Sequence, residues 1–401
     1  MNKLLGGIPS FPIIGIILVV LFCLVIIGVI IGLKIVREQP SESNLLALIK
    51  KGTTDAVNYP TQMPNRKGLI DYLLLNKIGN LPNNQLALTN FYVMTANLGG
   101  YFSPVNKAAF CKEAIQYAIQ AGARCIVFDI WPDISKGATR GPILSVRQND
   151  SSTEIFGSAY YTMKLTDALI EVRKWAFEDS ANSGNQDPMF LFLRFRGTSY
   201  LTNNTLTGTA TALYATLQQY RLPDNYYLPT NNPLPSTPIN ADVLRRKIII
   251  LSDQTGAGTS FANWVNNPVA PANSPFQRKT IGTPGEVHSL TKNQLLTLDT
   301  TCTTNLMACA PLPEDTDTSE SNSWDWKGAQ NAGIQFCALN LWKKDSGVDP
   351  KNGIFGTYSF MIKSGSPPVV EGFASRYTIE RVPPPIPVKP LGYGDGTVTV
   401  K

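Results

Sequence analysis

Apolar positions along this chain follow two rhythms that take turns. The first is a short unbroken run, Arg124-Cys-Ile-Val-Phe-Asp-Ile-Trp131, bounded by Gly122 before and Pro132 after. A run apolar on both parities is the pattern of a parallel strand covered on both faces. The second is the helical spacing of the stretch leading into it, Lys107–Ala121, with Ala108, Cys111, Ala114, Ile115, Ala118 and Ile119 on one side. The same pair of rhythms predicts a helix over Arg66–Ile78 with Leu69, Ile70, Leu73, Leu74 and Ile78 inward, then a first strand over Leu86–Thr95. It predicts a helix over Thr166–Ser180 with Leu165, Leu169, Val172 and Phe177 inward, a strand over Met189–Arg196, and a helix over Ala210–Tyr220. Further strands follow at Lys247–Asp253, Gln335–Trp342 and Phe355–Ile362. Strands alternating with helices imply a parallel sheet, here a closed barrel. The run at 124–131 carries one carboxylate, Asp129, near its C-terminal end, where barrel enzymes place their chemistry.

A different pattern opens the chain. Ile13–Leu33 is an unbroken apolar run of bilayer-spanning length. Lys34-Ile-Val-Arg-Glu follows it in place of a small-residue cleavage site, so it reads as an uncleaved single-pass anchor. Lys34, Arg37, Lys50 and Lys51 follow the span and only Lys3 precedes it, which puts the C-terminal part on the cytoplasmic side. The sequons Asn149-Asp-Ser and Asn203-Asn-Thr point the other way, but such triplets arise by chance in an Asn- and Thr-rich chain. The chain thus divides into an anchor (1–37), a connector with short helices (38–85), a first half-barrel (86–253), a Gly-, Pro-, Asn- and Thr-rich loop (254–285), a second half-barrel (286–363) and a Pro-rich tail (364–401).

Composition adds little. The charged fraction is low, 16%, and the net charge of +6 is scattered, which argues against a nucleic-acid partner. Six cysteines in 401 residues do not make a disulfide scaffold. Cys111, Cys125 and Cys337 sit in apolar runs and read as buried thiols, and Cys302 and Cys309 are the one pair to consider for a bridge.

Several stretches, in order, resemble the catalytic barrel of eukaryotic phosphoinositide-specific phospholipase C, in both its X and Y halves. Ala121-Gly-Ala-Arg-Cys-Ile-Val-Phe-Asp-Ile-Trp131 is similar to the family's Gly-Cys-Arg-x-x-Glu-Leu-Asp-x-Trp strand. Gly141-Pro-Ile-Leu-Ser-Val-Arg147 is similar to Pro-Val-x-x-His-Gly, and Pro188–Phe195 to Pro-Val-Ile-Leu-Ser-Leu-Glu. Leu234-Pro-Ser-Thr-Pro and Lys247-Ile-Ile-Ile resemble the end of the X half, and Asn331-Ala-Gly-Ile-Gln-Phe-Cys-Ala-Leu-Asn340 resembles the Y half's Asn-Ala-Gly-Cys-Gln-x-Val-Ala-Leu-Asn. The resemblance implies a distorted TIM-like (β/α)8 barrel, preceded here by one N-terminal transmembrane helix.

The family's chemistry does not carry across. It uses two histidines and a calcium ion to let the lipid's own inositol hydroxyl attack phosphorus. By the resemblance, the histidine positions are occupied by Ala96 and Val146, and the chain's one histidine, His288, lies between the halves. Loss of a general acid or base typically costs about 10²–10⁴-fold each. The calcium ligands would fall on Asn97, Val127, Asp129 and Arg194, and the phosphate-binding lysines on Leu251 and Asp253. Val127 has no ligand atom, and Arg194 puts a cation where a carboxylate belongs. No metal and no cofactor are expected.

Strand alternation suggests what stands there instead. Phe190, Phe192, Arg194 and Arg196 share one face of their strand, and Cys125, Val127, Asp129 and Trp131 share one of theirs. If both faces look inward, Asp129 and Arg194 form an ion pair at the mouth. Three readings follow. The first is a catalytically inactive barrel that tethers a membrane to a protein assembly, as a minor capsid or membrane protein of a large virus would. Its partners would be the bilayer, through Ile13–Leu33, and other proteins of that assembly. The second is a divergent phosphodiesterase drawing on Asp129, Glu154, Asp167 or Asp253. The third is a non-catalytic binder of phosphoinositide headgroups through Arg147, Arg194 and Arg196.

Overall fold

The computed structural model describes residues 66–76, 78, 80–83, 85–102, 109–133, 140–145, 162–182, 184–196, 201–224, 234–268, 276–279, 306–309, 333–341 and 355–363. The anchor, most of the connector, the Pro-rich tail, and Val146, Arg147, Glu154, His288 and Cys302 lie outside them. No helix among the described residues is long and apolar enough to cross a membrane.

Eight parallel strands form the frame. In chain order they are β2 (Thr95–Ala96), β5 (Cys125–Asp133), β8 (Met189–Phe195), β9 (Ile248–Ser252), β10 (Val265–Pro268), β11 (Phe276–Lys279), β12 (Leu306–Cys309) and β13 (Phe336–Leu339). They pair in the order β10-β9-β8-β5-β2-β13-β12-β11. This is barrel order, with the first strand wedged between the second and the last. Among the described residues no ladder joins β10 to β11. Both strands fall in the stretch expected to be loop (254–285). That expectation is corrected: too few residues separate them for a covering helix, which left no helical rhythm to mark strands there.

Alternation sorts the side chains into two cores. Cys125, Val127, Phe190, Phe192, Ile249, Leu251, Phe336 and Ala338 fill the barrel interior. Ile126, Phe128, Ile130, Leu191, Leu193 and Ile250 point outward beneath the helices. These helices are α2 (Lys112–Gln120), which buries Ile115, Ala118 and Ile119, α3 (Leu165–Arg173) and α4 (Asn203–Leu217). The helix expected over Lys107–Ala121 is shorter, because Ala109–Phe110 (β4) pairs antiparallel with Tyr101–Phe102 (β3). After α3, residues Lys174–Glu178 form a wider, π-type turn. The α4 helix starts seven residues before the expected Ala210. Its first half is rich in Thr, a weak helix former, and Thr209 and Thr216 satisfy their hydroxyls on the carbonyls of Thr205 and Ala212.

The expected strand Leu86–Thr95 is two pieces. β1 (Phe91–Val93) leaves the barrel and pairs antiparallel with β14 (Phe360–Ile362), and only Thr95–Ala96 joins the parallel frame. The split follows from hydrogen bonding. The Met94 N–H donates to Ser359 O, while Met94 O accepts from the N–H groups of Arg124 and Cys125. β5 also runs past Trp131 through Pro132 to Asp133, with a register shift against its antiparallel neighbour β6 (Arg140–Ser145). Proline is tolerated at such an irregularity. β6 in turn pairs with β7 (Thr162–Lys164).

The N-terminal ends of the strands are plugged by α1 (Leu69–Leu75), shorter than the expected Arg66–Ile78. Leu69, Tyr72 and Leu73 face the barrel, and the Tyr72 hydroxyl accepts from the Ile362 N–H at 3.0 Å. This overturns the expected inward set: Ile70 and Leu74 face out. A polar network ties the plug down. Asp187 Oδ2 accepts from the Leu69 N–H at 2.9 Å and lies 3.4 Å from Arg124 Nε. Arg124 also donates to Asn182 Oδ1 at 2.7 Å and to the Ala123 carbonyl at 3.0 Å. Gly122, at φ +102°, ends α2 in the left-handed region that glycine favours, and a Cβ there would meet the Arg66 side chain at 2.7 Å.

Cys111, Cys125 and Cys337 are buried and form no disulfide. Burial pushes Cys111 up to about 12 and raises Cys125 as well. Because the thiolate is the reacting form, Cys111 and Cys125 should resist alkylation in the native protein, Cys337 should resist it through burial alone, and all three should react fully in denaturant. Peptide mapping after iodoacetamide treatment checks this; native labelling at Cys125 would contradict the packing.

Candidate functional site

The mouth of the barrel lies at the C-terminal ends of the parallel strands. Asp129 on β5 and Arg194 on β8 are direct partners in the ladder, so both side chains emerge inward at the same level. Arg194 Nε donates to Asp129 Oδ1 at 2.5 Å, and both side chains are almost wholly removed from solvent. Two residues further along stand Trp131 on β5 and Arg196 just past the end of β8, both buried. Arg196 Nη1 is 4.0 Å from Asp129 Oδ2, and its guanidinium lies 5.7 Å from the centre of the Trp131 ring. That is cation–π range. One carboxylate is thus held between two guanidinium groups, with an aromatic wall beside the second.

Asn97 completes this end of the site. Its Nδ2 donates to Asn340 Oδ1 at 3.2 Å, and its backbone N–H donates to the Leu339 carbonyl at 2.8 Å. The chain then turns sharply. Leu98 has φ +46°, a left-handed conformation unusual for a residue with a branched side chain. Gly99 follows with its N–H on the Val127 carbonyl at 2.7 Å, and a Cβ there would lie 2.2 Å from Ile126. The strained turn ties the segment to β5 at Val127 and holds Asn97 just past the C-terminal end of β2.

Of the residues singled out from sequence, the structure brings together Asp129, Arg194 and Arg196, with Asn97 at the same end of the barrel. It places Val127 one layer deeper in the apolar interior and Ala96 in the outer cluster beneath the helices. Leu251 is interior packing. Asp253 Oδ1 accepts from the Phe195 N–H at 2.9 Å, a local tie between β9 and β8. Asp167 lies in the first turn of α3, in the outer layer. Trp131 was placed on the Asp129 face from sequence but given no role, and Asn340 was not singled out. The signal was available for Trp131, which lies two residues beyond Asp129 on the same strand face.

The donor set does not fit calcium. That ion takes six to eight oxygen ligands. Here Val127 offers none, and Asp129 is already engaged by a guanidinium. At about 4 Å and an effective dielectric of about 20, a divalent ion and a guanidinium repel by about 8 kcal/mol. Among the described residues no three His, Cys, Asp or Glu side chains gather at one place.

No protein-family model matches the chain, and no curated protein does. Solved structures do. PLC21 of S. officinalis is 16% identical over 80% of this chain and 44% of its own, with a TM-score of 0.50. PLC21 of L. pealei is 17% identical over 82% and 45%, at 0.48. A calcium-dependent phosphoinositol-specific phospholipase C from Pseudomonas sp. is 12% identical over 71% and 97%, at 0.44. The first of these shows the fold, a phospholipase C-like, TIM-type barrel. The chain spans less than half the length of the two PLC21 proteins.

Proposed function

We propose that this chain is a membrane-anchored, catalytically inactive phospholipase C-like barrel that works as a rigid body between a bilayer and a protein assembly. The observation that carries the reading is the Arg194–Asp129 pair, a fixed guanidinium at the position the resemblance gives to a metal ligand. The sequence supports it further, since one histidine cannot replace two. The anchor is Ile13–Leu33, with the barrel on the cytoplasmic side, and the membrane of a large virion is one setting that suits such a tether.

The test is turnover. The purified chain, given phosphatidylinositol vesicles and calcium, is expected to release no headgroup above the rate of heat-treated protein. Release that disappears on Asp129→Ala would establish the divergent phosphodiesterase instead. A second reading is headgroup binding without turnover through Arg147, Arg194 and Arg196, in which a phosphate takes the place of the Asp129 carboxylate on the Arg194 guanidinium. Calorimetry with inositol trisphosphate separates the two: heat of binding that is lost in Arg196→Ala, with no release, selects the binder.

Topology has its own readout. Asn203 is the exposed first residue of α4, in the sequon Asn203-Asn-Thr205. A cytoplasmic barrel carries no glycan, so expression in a eukaryotic cell should give no mass shift on glycosidase treatment. A shift abolished by Asn203→Gln would place the barrel on the opposite side.

A further inference from the structure

The outward face of α1 is apolar where it should be polar. Leu74 is 70% exposed, Leu75 51% and Ile70 43%. Ile70 and Leu74 are one turn apart, so with Leu75 they form a single stripe. Among the described residues the other exposed large hydrophobics are Ile170 and Tyr214, on α3 and α4, so the exposure is concentrated on α1. Singly exposed aliphatic side chains need no explanation, but three neighbouring ones on a helix whose other face is already buried do.

Position says where the stripe faces. Asp187, just before β8, and Arg124, just before β5, fix α1 at the N-terminal ends of the strands. The stripe therefore faces away from the mouth, out of the closed end of the barrel. α1 is also the first described element after the apolar run Ile13–Leu33, with 32 residues (34–65) between Leu33 and Arg66. A linker of that length reaches at most about 110 Å. It keeps the barrel close to the bilayer but does not decide which end points at it. A small apolar patch is weak alone and becomes effective when a tether raises its local concentration.

We propose that Ile70, Leu74 and Leu75 dock the closed end of the barrel onto the lipid surface, so that the mouth points away from the membrane. The inference rests on the reading of Ile13–Leu33 as an anchor. It has a functional consequence: a barrel held this way presents its mouth to other proteins and not to lipid headgroups. The charged neighbours Lys67 and Asp71 are only half-buried, and the long stem of Lys67 lets its ammonium stay in the headgroup layer.

The experiment uses the full chain reconstituted in phosphatidylcholine vesicles containing a nitroxide-labelled lipid. An environment-sensitive fluorescent amino acid is incorporated either at Leu74 or at Ala257, an exposed position beyond the C-terminal end of β9. Quenching is expected at position 74 and at least fivefold weaker quenching at 257. In the Ile70→Ser, Leu75→Ser background the quenching at 74 should fall toward the level at 257. Equal quenching at the two positions, or stronger quenching at 257, overturns the proposal. So does an unquenched probe at 74 that photo-crosslinks to a second copy or another protein, which would make the stripe a protein interface. Flotation of the vesicles separates the failures: chain that floats and resists carbonate but is unquenched at 74 sinks the docking alone. Chain that does not float sinks the anchor and the docking together.

Discussion

Replacing Arg194 with methionine is expected to destabilise the barrel by about 3–5 kcal/mol, because it strands a buried carboxylate. The expectation follows from the geometry at the mouth. Asp129 has its Oδ1 on Arg194 Nε at 2.5 Å, whereas Arg196 stands 4.0 Å from the other oxygen. Remove the near guanidinium and the far one does not replace it without moving. The pair is not thereby worth that much. Two charges were taken out of water to make it, and an apolar pair of similar volume is often neutral or better. The double variant Arg194→Met, Asp129→Leu should therefore sit within about 1 kcal/mol of the parent or above it. Urea unfolding of the four corners of the cycle reads both numbers. A single variant that costs under about 1 kcal/mol would show that the carboxylate is solvated and the pair incidental.

That pair also marks how far the sequence alone reaches. Alternation in two strands was enough to put Asp129 and Arg194 on inward faces, because β5 and β8 are fully buried and a slip of one residue would turn every side chain the wrong way. Their shared level in the ladder was not legible, since it depends on how the strands are staggered around the barrel. α1 failed for a different reason. Its seven residues, Leu-Ile-Asp-Tyr-Leu-Leu-Leu, are apolar nearly all round, so spacing alone cannot choose a face. Tyr72 chooses it by finding a backbone donor at Ile362, almost three hundred residues away. The split between β1 and β2 and the hidden strands β10 and β11 share this character: each is decided by a distant partner and leaves little local trace. The network at the closed end was missed entirely. Arg124 begins an apolar run and Asp187 precedes a proline, positions that usually mean solvent. Here the packing of α1 over them removes the solvent.

That network gives the second large expectation, and its sign is opposite to the intuition that a salt bridge is lost in acid. Asp187 is buried with Arg124, but the guanidinium is spread thin. One nitrogen serves Asn182, one serves the Ala123 carbonyl, and Nε reaches Asp187 at only 3.4 Å. Desolvation therefore outweighs the attraction and pushes the Asp187 carboxyl up to about 6, while burial lowers Arg124 from its usual range. A carboxyl with a folded pKa above its ordinary 3.8 binds its proton more tightly folded than unfolded. Its contribution to stability is fully present below about pH 4 and is lost as pH rises through about 6. The change approaches about 3 kcal/mol across that window, at 1.36 kcal/mol per unit. Other carboxylates with their own slopes overlay this, so the measurement is a difference. The stability of the parent minus that of Asp187→Asn, followed by urea unfolding from pH 3.5 to 7, should fall with rising pH and level off above about 6.5. A difference that rises with pH would mean that Arg124 dominates after all and that the plug is held by charge. Gly184→Ala tests the same packing at fixed pH. A Cβ there would lie 1.8 Å from Arg124 Nη2, and the guanidinium has three anchors holding it against retreat. Overpacking of this kind costs about 1–3 kcal/mol, and here it should fall at the upper end of that range, because a shifted Arg124 releases Asn182 and Asp187 together.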